Sequence, residues 1–354
     1  MEQTKIEWTA TYSEDGTVIP GYTFNPWIGC TKVSDGCKYC YAENLMDKRY
    51  GRVEWGPTGT RARTSNAYWR KPLQWDRKCE EAGIRQRVFC ASLADVFEDN
   101  DQVIDWRLDL FRLIKQTPNL DWLLLTKRPG NIKKMTEFVF RENGRYQLPD
   151  NVAIGVSVEN QETANERIPH LAAIPAKVRF LSIEPLLGAI DLEPLILEIA
   201  MPPDSVPINY RWFIPRPEYE RSVDWVIVGG ESGPSARPMH PRWVWSIRML
   251  CCAADIPFFF KQHGEWLPEA PITSNAGFTL QAKRWVAVDV DGTVVDYDNP
   301  GAVNALSDGA WFMGRVGKKK AGRLLDGREW NEMPFSMETD SGQHYDKVSN
   351  EDKS

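Results

Sequence analysis

The run Trp122-Leu123-Leu124-Leu125-Thr126-Lys127-Arg128 sets four apolar side chains in a row and then stops on a hydroxyl and two cations. So short an uninterrupted run fits a strand buried on both faces, as in a parallel sheet; an antiparallel sheet with one wet face would alternate. The pattern recurs at residues 22–28, 88–91, 152–158, 178–183, 225–228 and 256–260. Each run closes on polar chemistry: the segment from Cys30 to Cys40, then Ser92 and Asp95, Ser157 and Glu159, Ser182 and Glu184, Gly229-Gly230-Glu231-Ser232, and Lys261-Gln262-His263.

Between the runs lie amphipathic stretches. Residues 101–116 put Val103, Ile104, Leu110, Phe111, Leu113 and Ile114 largely on one helical face and end before Pro118. Residues 130–140, 162–173 and 241–254 read the same way. Strands alternating with helices predict an α/β fold, a full or partial (β/α) barrel, since no glycine-rich dinucleotide loop favours a three-layer sandwich. Functional groups of barrels sit at the C-terminal strand ends, where the polar residues fall here. Residues 1–265 are expected to form the barrel, with an insert at 42–86 and a proline-rich excursion at 191–222. Residues 266–337 read as a C-terminal appendage with a hairpin at 288–294, and 338–354 as a flexible tail.

The chain has 354 residues, 26% charged and 42% hydrophobic, which excludes a disordered chain, a coiled coil and a collagen-like fibre. No apolar run is long enough to span a bilayer. The start, MEQTKIEWTA, lacks the pattern of a secretory signal, so a cytoplasmic location is expected and no membrane partner. The net charge of −6 means that any nucleic-acid contact must come from a local patch. Two stretches offer one. The insert interleaves Arg61, Arg63, Arg70, Lys71, Arg77 and Lys78 with Tyr68, Trp69 and Trp75, which suits phosphates and stacked bases or, equally, a solvated helix whose rings cover the barrel. Residues 315–320 with Arg323 form the second.

Seven cysteines, an odd number with no export signal, argue against a disulfide framework. Cys30, Cys37 and Cys40 follow the first strand in a C-x6-C-x2-C pattern. Three thiolates on one loop can converge on a metal: zinc, which in structural sites wants a fourth protein ligand, or an iron–sulfur cluster with one iron left open. Cys79, Cys90, Cys251 and Cys252 lie elsewhere and read as small core residues.

With Thr4-Lys5-Ile6-Glu7-Trp8-Thr9, Asn25-Pro26-Trp27-Ile28-Gly29-Cys30 and Gly36-Cys37-Lys38-Tyr39-Cys40-Tyr41-Ala42-Glu43, the chain resembles the phage- and plasmid-borne three-Cys-motif proteins, which are grouped with the radical S-adenosylmethionine (SAM) enzymes. The blocks at 125–129, 155–159, 181–186, 229–233, 259–262 and 322–327 extend the resemblance over nearly the whole chain. It implies a barrel of the radical-SAM type, a [4Fe–4S] cluster on the three cysteines, SAM on the open iron, an electron donor and, in some settings, a partner from a neighbouring gene. The cytoplasm would be that of the host cell if the chain is phage-encoded. Two features differ from the commonest radical-SAM pattern. Six residues, not three, separate the first two cysteines, and Gly229-Gly230-Glu231 follows strand 6 where such a motif usually follows strand 2.

On that resemblance Tyr39 takes the aromatic position near the adenine. Ser92 and Asp95 at the end of strand 2 are expected to serve SAM, with Thr126, Lys127, Ser157 and Glu159; lysine suits its carboxylate and acceptors suit ribose hydroxyls. Arg128, Ser232, Arg237 and Gln262 are candidates for substrate binding, and Glu184, Glu231 and His263 for catalysis, because a carboxylate ending an apolar strand is costly unless paired or facing a cavity. Structural roles compete: Ser157 as a helix N-cap, Lys127 and Arg128 as an exposed loop pair, Tyr39 as a ring covering the core. The leading expectation is a radical-SAM enzyme that takes hydrogen from a nucleobase, nucleotide or phage DNA, leading to rearrangement or carbon-bond formation. The alternatives are a zinc-stabilised nucleic-acid-binding protein without radical chemistry, and a partner subunit whose cluster is structural or only transfers electrons.

Overall fold

The computed structural model describes residues 3–12, 17–197, 222–274 and 278–334. Most of the expected excursion at 191–222 and the whole tail at 338–354 lie outside the described residues. Seven strands form one parallel sheet: β1 (Tyr22–Thr23), β2 (Gln86–Cys90), β3 (Leu120–Thr126), β4 (Val152–Ser157), β5 (Val178–Ile183), β6 (Trp225–Gly229) and β7 (Phe258–Gln262). They lie side by side in chain order. Helices α1 (Lys71–Ala82), α2 (Ile104–Lys115), α3 (Ile132–Thr136), α4 (Gln161–Ala172), α5 (Glu193–Leu197) and α6 (Pro241–Ala253) fill the six crossovers. The sheet curls into a half-barrel, and no ladder joins β7 to β1 among the described residues. Of the two closures expected, this is the partial one.

The continuous apolar runs are explained by two cores, one on each side of the sheet. Trp122 and Leu124 face the helices, while Leu123 points into the barrel with Phe89, Ala153, Phe180, Trp225, Ile227 and Phe259. The open seam is plugged from the N-terminus. A short 3-10 turn, Glu7–Thr9, sets Trp8 against Phe89 at 4.7 Å, Trp225 at 6.2 Å and Phe180 at 6.4 Å between ring centroids. The far edge is covered too. Residues 330–332 run back along β7, with Phe260 N donating to Trp330 O and Glu332 N to Phe258 O. A bare edge strand would otherwise be a template for aggregation.

Two expected elements differ in extent. β1 stops at Thr23, because Pro26 has no N–H to give a ladder and Asn25 turns its side chain to Ser92 and to the N–H of Leu93. Trp27 and Ile28 instead pair antiparallel with Ala62 and Arg63 of the insert. The helix expected over 130–140 ends at Thr136, and Asn143 and Gly144, both at positive φ, then turn a small hairpin. In the insert Trp69 and Trp75 are buried, with Trp75 stacked on Tyr22 at 4.2 Å, and Arg61 is buried against Glu98 at 2.8 Å. These two tryptophans are core, not stacking platforms for bases.

Beyond the barrel, β8 (Trp266–Pro271), β9 (Trp285–Val288), β10 (Val294–Asp296) and β11 (Trp311–Arg315) form an antiparallel sheet in the order β8-β11-β9-β10. The expected hairpin joins β9 to β10. His240 ties α6 to this sheet: Nδ1 accepts from Arg242 N and Nε2 donates to Gly309 O at 3.1 Å. Burial pushes its pKa down to about 4, so it stays neutral at pH 7. Among the described residues no helix is long and apolar enough to cross a membrane.

Gly155 on β4 is where the inner core is tightest. A Cβ there would stand 2.4 Å from the Phe180 ring. Gly155→Ala is expected to cost about 1–3 kcal/mol through overpacking, whereas Gly301→Ala, with its nearest neighbour at 3.9 Å, leaves stability nearly unchanged. Chemical denaturation of the two variants checks this.

Candidate functional site

The C-terminal ends of the strands enclose a cavity of about 560 Å³. It opens because the bulky layer of Trp8, Phe89 and Phe180 gives way to small residues, Ala91, Ser157, Ser182 and Gly230, one step further along the strands. Its wall brings together Cys30, Cys37, Cys40, Tyr39, Ser92, Asp95, Thr126, Lys127, Arg128, Ser157, Glu184, Glu231, Ser232 and Gln262. Glu159, Arg237 and His263 do not line it, and their contacts show why.

Three ion-paired clamps fasten the cysteine loop over this cavity. In the first, Asp95 accepts from Thr126 Oγ1 at 2.7 Å, from the backbone N of Phe97 and Lys127, and from Arg128 Nη1 at 2.8 Å. Arg128 then reaches the loop, donating to Thr31 O at 2.7 Å and lying 3.7 Å from Cys30 Sγ. Burial works against the Arg128 charge, but Asp95, Cys30 and Glu98 outweigh it and raise its pKa. Arg61, held by Glu98, adds a bond to Thr31 Oγ1.

The second clamp is Glu159, which is fully buried. Lys127 lies 2.9 Å and Arg167 3.1 Å from its carboxylate, and Ser34 of the loop donates to it at 3.0 Å. Burial pushes its pKa up, yet Lys127 and Arg167 prevail and hold it below the usual carboxylate value. Gly36 sits on this carboxylate: a Cβ would meet Oε1 at 2.4 Å. The third clamp is Glu231, bound by Arg237 through Nε at 2.8 Å and Nη2 at 2.6 Å. Arg237 donates on to Asp35 O at 3.0 Å and lies 5.2 Å from the Tyr39 ring.

These contacts change the roles expected of several residues. Asp95, Arg128, Glu159 and Arg237 are committed to holding the loop; Glu159 is not placed to meet a ribose, nor Arg237 a substrate in the cavity. Ser157 is not a helix cap, since Asn160 caps α4 with a reciprocal bond to Thr163. His263 turns away: Nε2 bonds Leu324 O at 2.8 Å, its ring packs on Phe260, and burial lowers its pKa. It ties residues 322–324 to the barrel. Glu184 does face the cavity, paired with Lys261 at 2.7 Å and near Gln262 at 3.3 Å.

The sequence reading named Ser182, Lys261 and Trp8 but gave them no site role, and did not single out Arg167. Lys261 and Ser182 stood at strand ends, the one signal that marked them. Arg167 sits inside a helix and nothing local announces its partner.

The three loop cysteines are partly exposed free thiols. Burial pushes the Cys30 thiol up to about 12, with Asp95 and Glu98 adding and Arg128 opposing; burial also raises Cys40. Cys30 Sγ donates to Thr31 O at 3.4 Å, and Cys37 Sγ lies 4.0 Å from Ser34 Oγ. Among the described residues no three Cys, His, Asp or Glu side chains are gathered closely enough to hold a metal ion. Cys79, Cys90 and Cys251 are buried elsewhere and Cys252 is exposed.

Glu159→Gln leaves the buried Arg167 and the half-buried Lys127 short of a counter-charge and is expected to cost about 3 kcal/mol. A carboxylate with a depressed folded pKa stabilises above its unfolded value, about 4.3, and loses that contribution as pH falls through the folded one. The stability gap between wild type and Glu159→Gln should therefore narrow as pH drops below about 4. Urea unfolding across that range checks the sign; a gap independent of pH would mean that folding leaves the Glu159 pKa unchanged.

A comparison with curated proteins and with solved structures finds no match. The sequence model of a family described as a protein of unknown function, DUF5131, matches residues 3–334, and the chain belongs to that family.

Proposed function

We propose that this protein is a radical-SAM enzyme in which Cys30, Cys37 and Cys40 hold a [4Fe–4S] cluster. The observation that carries this reading is the placement of three free thiols, on one clamped loop, along the wall of a single cavity at the C-terminal end of a parallel half-barrel. The donor set suits the group. Three thiolates and no fourth leave one iron open, whereas a structural zinc site closes with four protein ligands. The neighbouring carboxylates Asp95, Glu98 and Glu159 are each already held by arginine or lysine. Loading would require the three thiols to gather more closely than they now lie. The chemistry the cluster and SAM supply together is reductive cleavage of the sulfonium to a 5′-deoxyadenosyl radical, which takes hydrogen from substrate.

The chain's own residues do the rest. The clamps hold the cysteine backbone in place while Ser92, Thr126 and Lys127 line the wall beside it. Tyr39, backed by Arg237, offers a ring at the mouth on which the adenine can rest. Glu184, with Lys261 and Gln262, faces the cavity from β5 and β7, where it can orient a substrate and exchange a proton through Lys261. Phe89 and Leu125 bring apolar surface to the same cavity. We take the substrate to be a nucleobase, nucleotide or DNA, the electron donor to be a separate protein, and the site of action to be the cytoplasm of the cell that carries the gene.

The test is anaerobic reconstitution with iron and sulfide, reduction with dithionite and addition of SAM. 5′-Deoxyadenosine should form, and Cys37→Ala should abolish it. Stoichiometric zinc with no SAM cleavage would overturn the proposal.

A further inference from the structure

The floor of the cavity carries polar atoms that the protein leaves unused. Trp8 is only 3% exposed and lines the cavity, yet its indole N–H has no acceptor. A buried donor without a partner carries the full cost of its desolvation, and such groups in native proteins call for a ligand or an ordered water. One layer above, Ser157 and Ser182 stand side by side on β4 and β5 as register partners. Both line the cavity, both are largely buried, and neither hydroxyl has a hydrogen-bond partner among the described residues. The polar groups around them are spoken for: Thr126 by Asp95, Glu184 by Lys261, Glu231 by Arg237.

Apolar side chains share the cavity with these three groups. Phe89 and Leu125 line the same floor. Phe180 lies across Gly155 and beside Trp8, so the floor cannot deepen without unpacking the core. A fixed donor and two hydroxyls that can donate or accept, set among aromatic rings, match a planar heterocycle with a polar edge. An aliphatic chain would leave the indole N–H unpaired.

We propose that the cavity floor is a slot for a heteroaromatic base, whose carbonyl or ring-nitrogen acceptor takes the N–H of Trp8 and whose remaining edge meets Ser157 and Ser182. Trp8 is then a specificity-determining residue supplied by the N-terminal plug. The proposal rests on reading the cavity as the substrate site, and it does not depend on the cluster.

The experiment is calorimetric titration of the full-length chain, without iron or SAM, with adenine, hypoxanthine, cytosine, thymine and uracil in turn. At least one base should bind saturably. Trp8→Phe, which keeps a ring and removes the N–H, should weaken it about tenfold while the ligand-free chain still unfolds in one cooperative transition. Ser182→Ala should weaken it by a similar factor, and decides the matter if Trp8→Phe does not fold. Failure of every base to bind, or binding indifferent to the substitutions, would overturn the slot and leave water as the partner of Trp8. Because no cluster chemistry enters the measurement, its failure leaves the cysteine assignment standing, and failure of SAM cleavage leaves the slot standing.

Discussion

Carboxylates at the ends of apolar strands are expensive, and this fold depends on how their charge is met. Asp95, Glu159 and Glu231 close β2, β4 and β6 and are all buried. None could be tolerated there alone. Each is met by an arginine or lysine, and in each case the same ion pair also grips the cysteine loop, at Thr31, at Ser34 and at Asp35. The pairs thus convert a cost of burial into positional control. A buried pair is weak evidence for net stability; its value here is geometric, because the loop itself has little regular structure to hold it.

The cavity follows from a second constraint, the change of side-chain size along the inner face. Large rings from Trp8, Phe89, Phe180 and Trp225 fill the lower layer, and serines and glycines occupy the upper one. Packing density forbids voids in an apolar core, so an opening of this size persists only where the strand ends turn polar and the loop roofs them. The N-terminal turn and the returning segment at 330–332 cover strand edges that an open half-barrel would expose.

Much of this was legible in the sequence. The seven strands announced themselves as continuous apolar runs, because a parallel sheet buries both faces. The polar residues at their ends told where the cavity would be, and most of the expected site residues do line it. Individual roles were not legible. Ser34 and Glu159 are 125 positions apart, and Arg237 and Asp35 are 202 apart; no local pattern reveals such pairs. Arg128, Glu159 and Arg237 looked like ligand contacts because unpaired charge suggests a ligand, until Asp95, Lys127 with Arg167, and Glu231 are seen to supply the partners. β1 was overestimated for a plain reason: Pro26 breaks the ladder in the middle of an apolar run.

The central claim is that the clamped loop presents three thiolates, and no fourth protein ligand, to one cluster. Mössbauer spectroscopy of the anaerobically reconstituted chain, with and without SAM, addresses it most directly. The account predicts about four irons and four sulfides per chain, with one iron of the cluster changing its spectrum when SAM is added. One tightly held zinc per chain, or a cluster whose irons all ignore SAM, would contradict it.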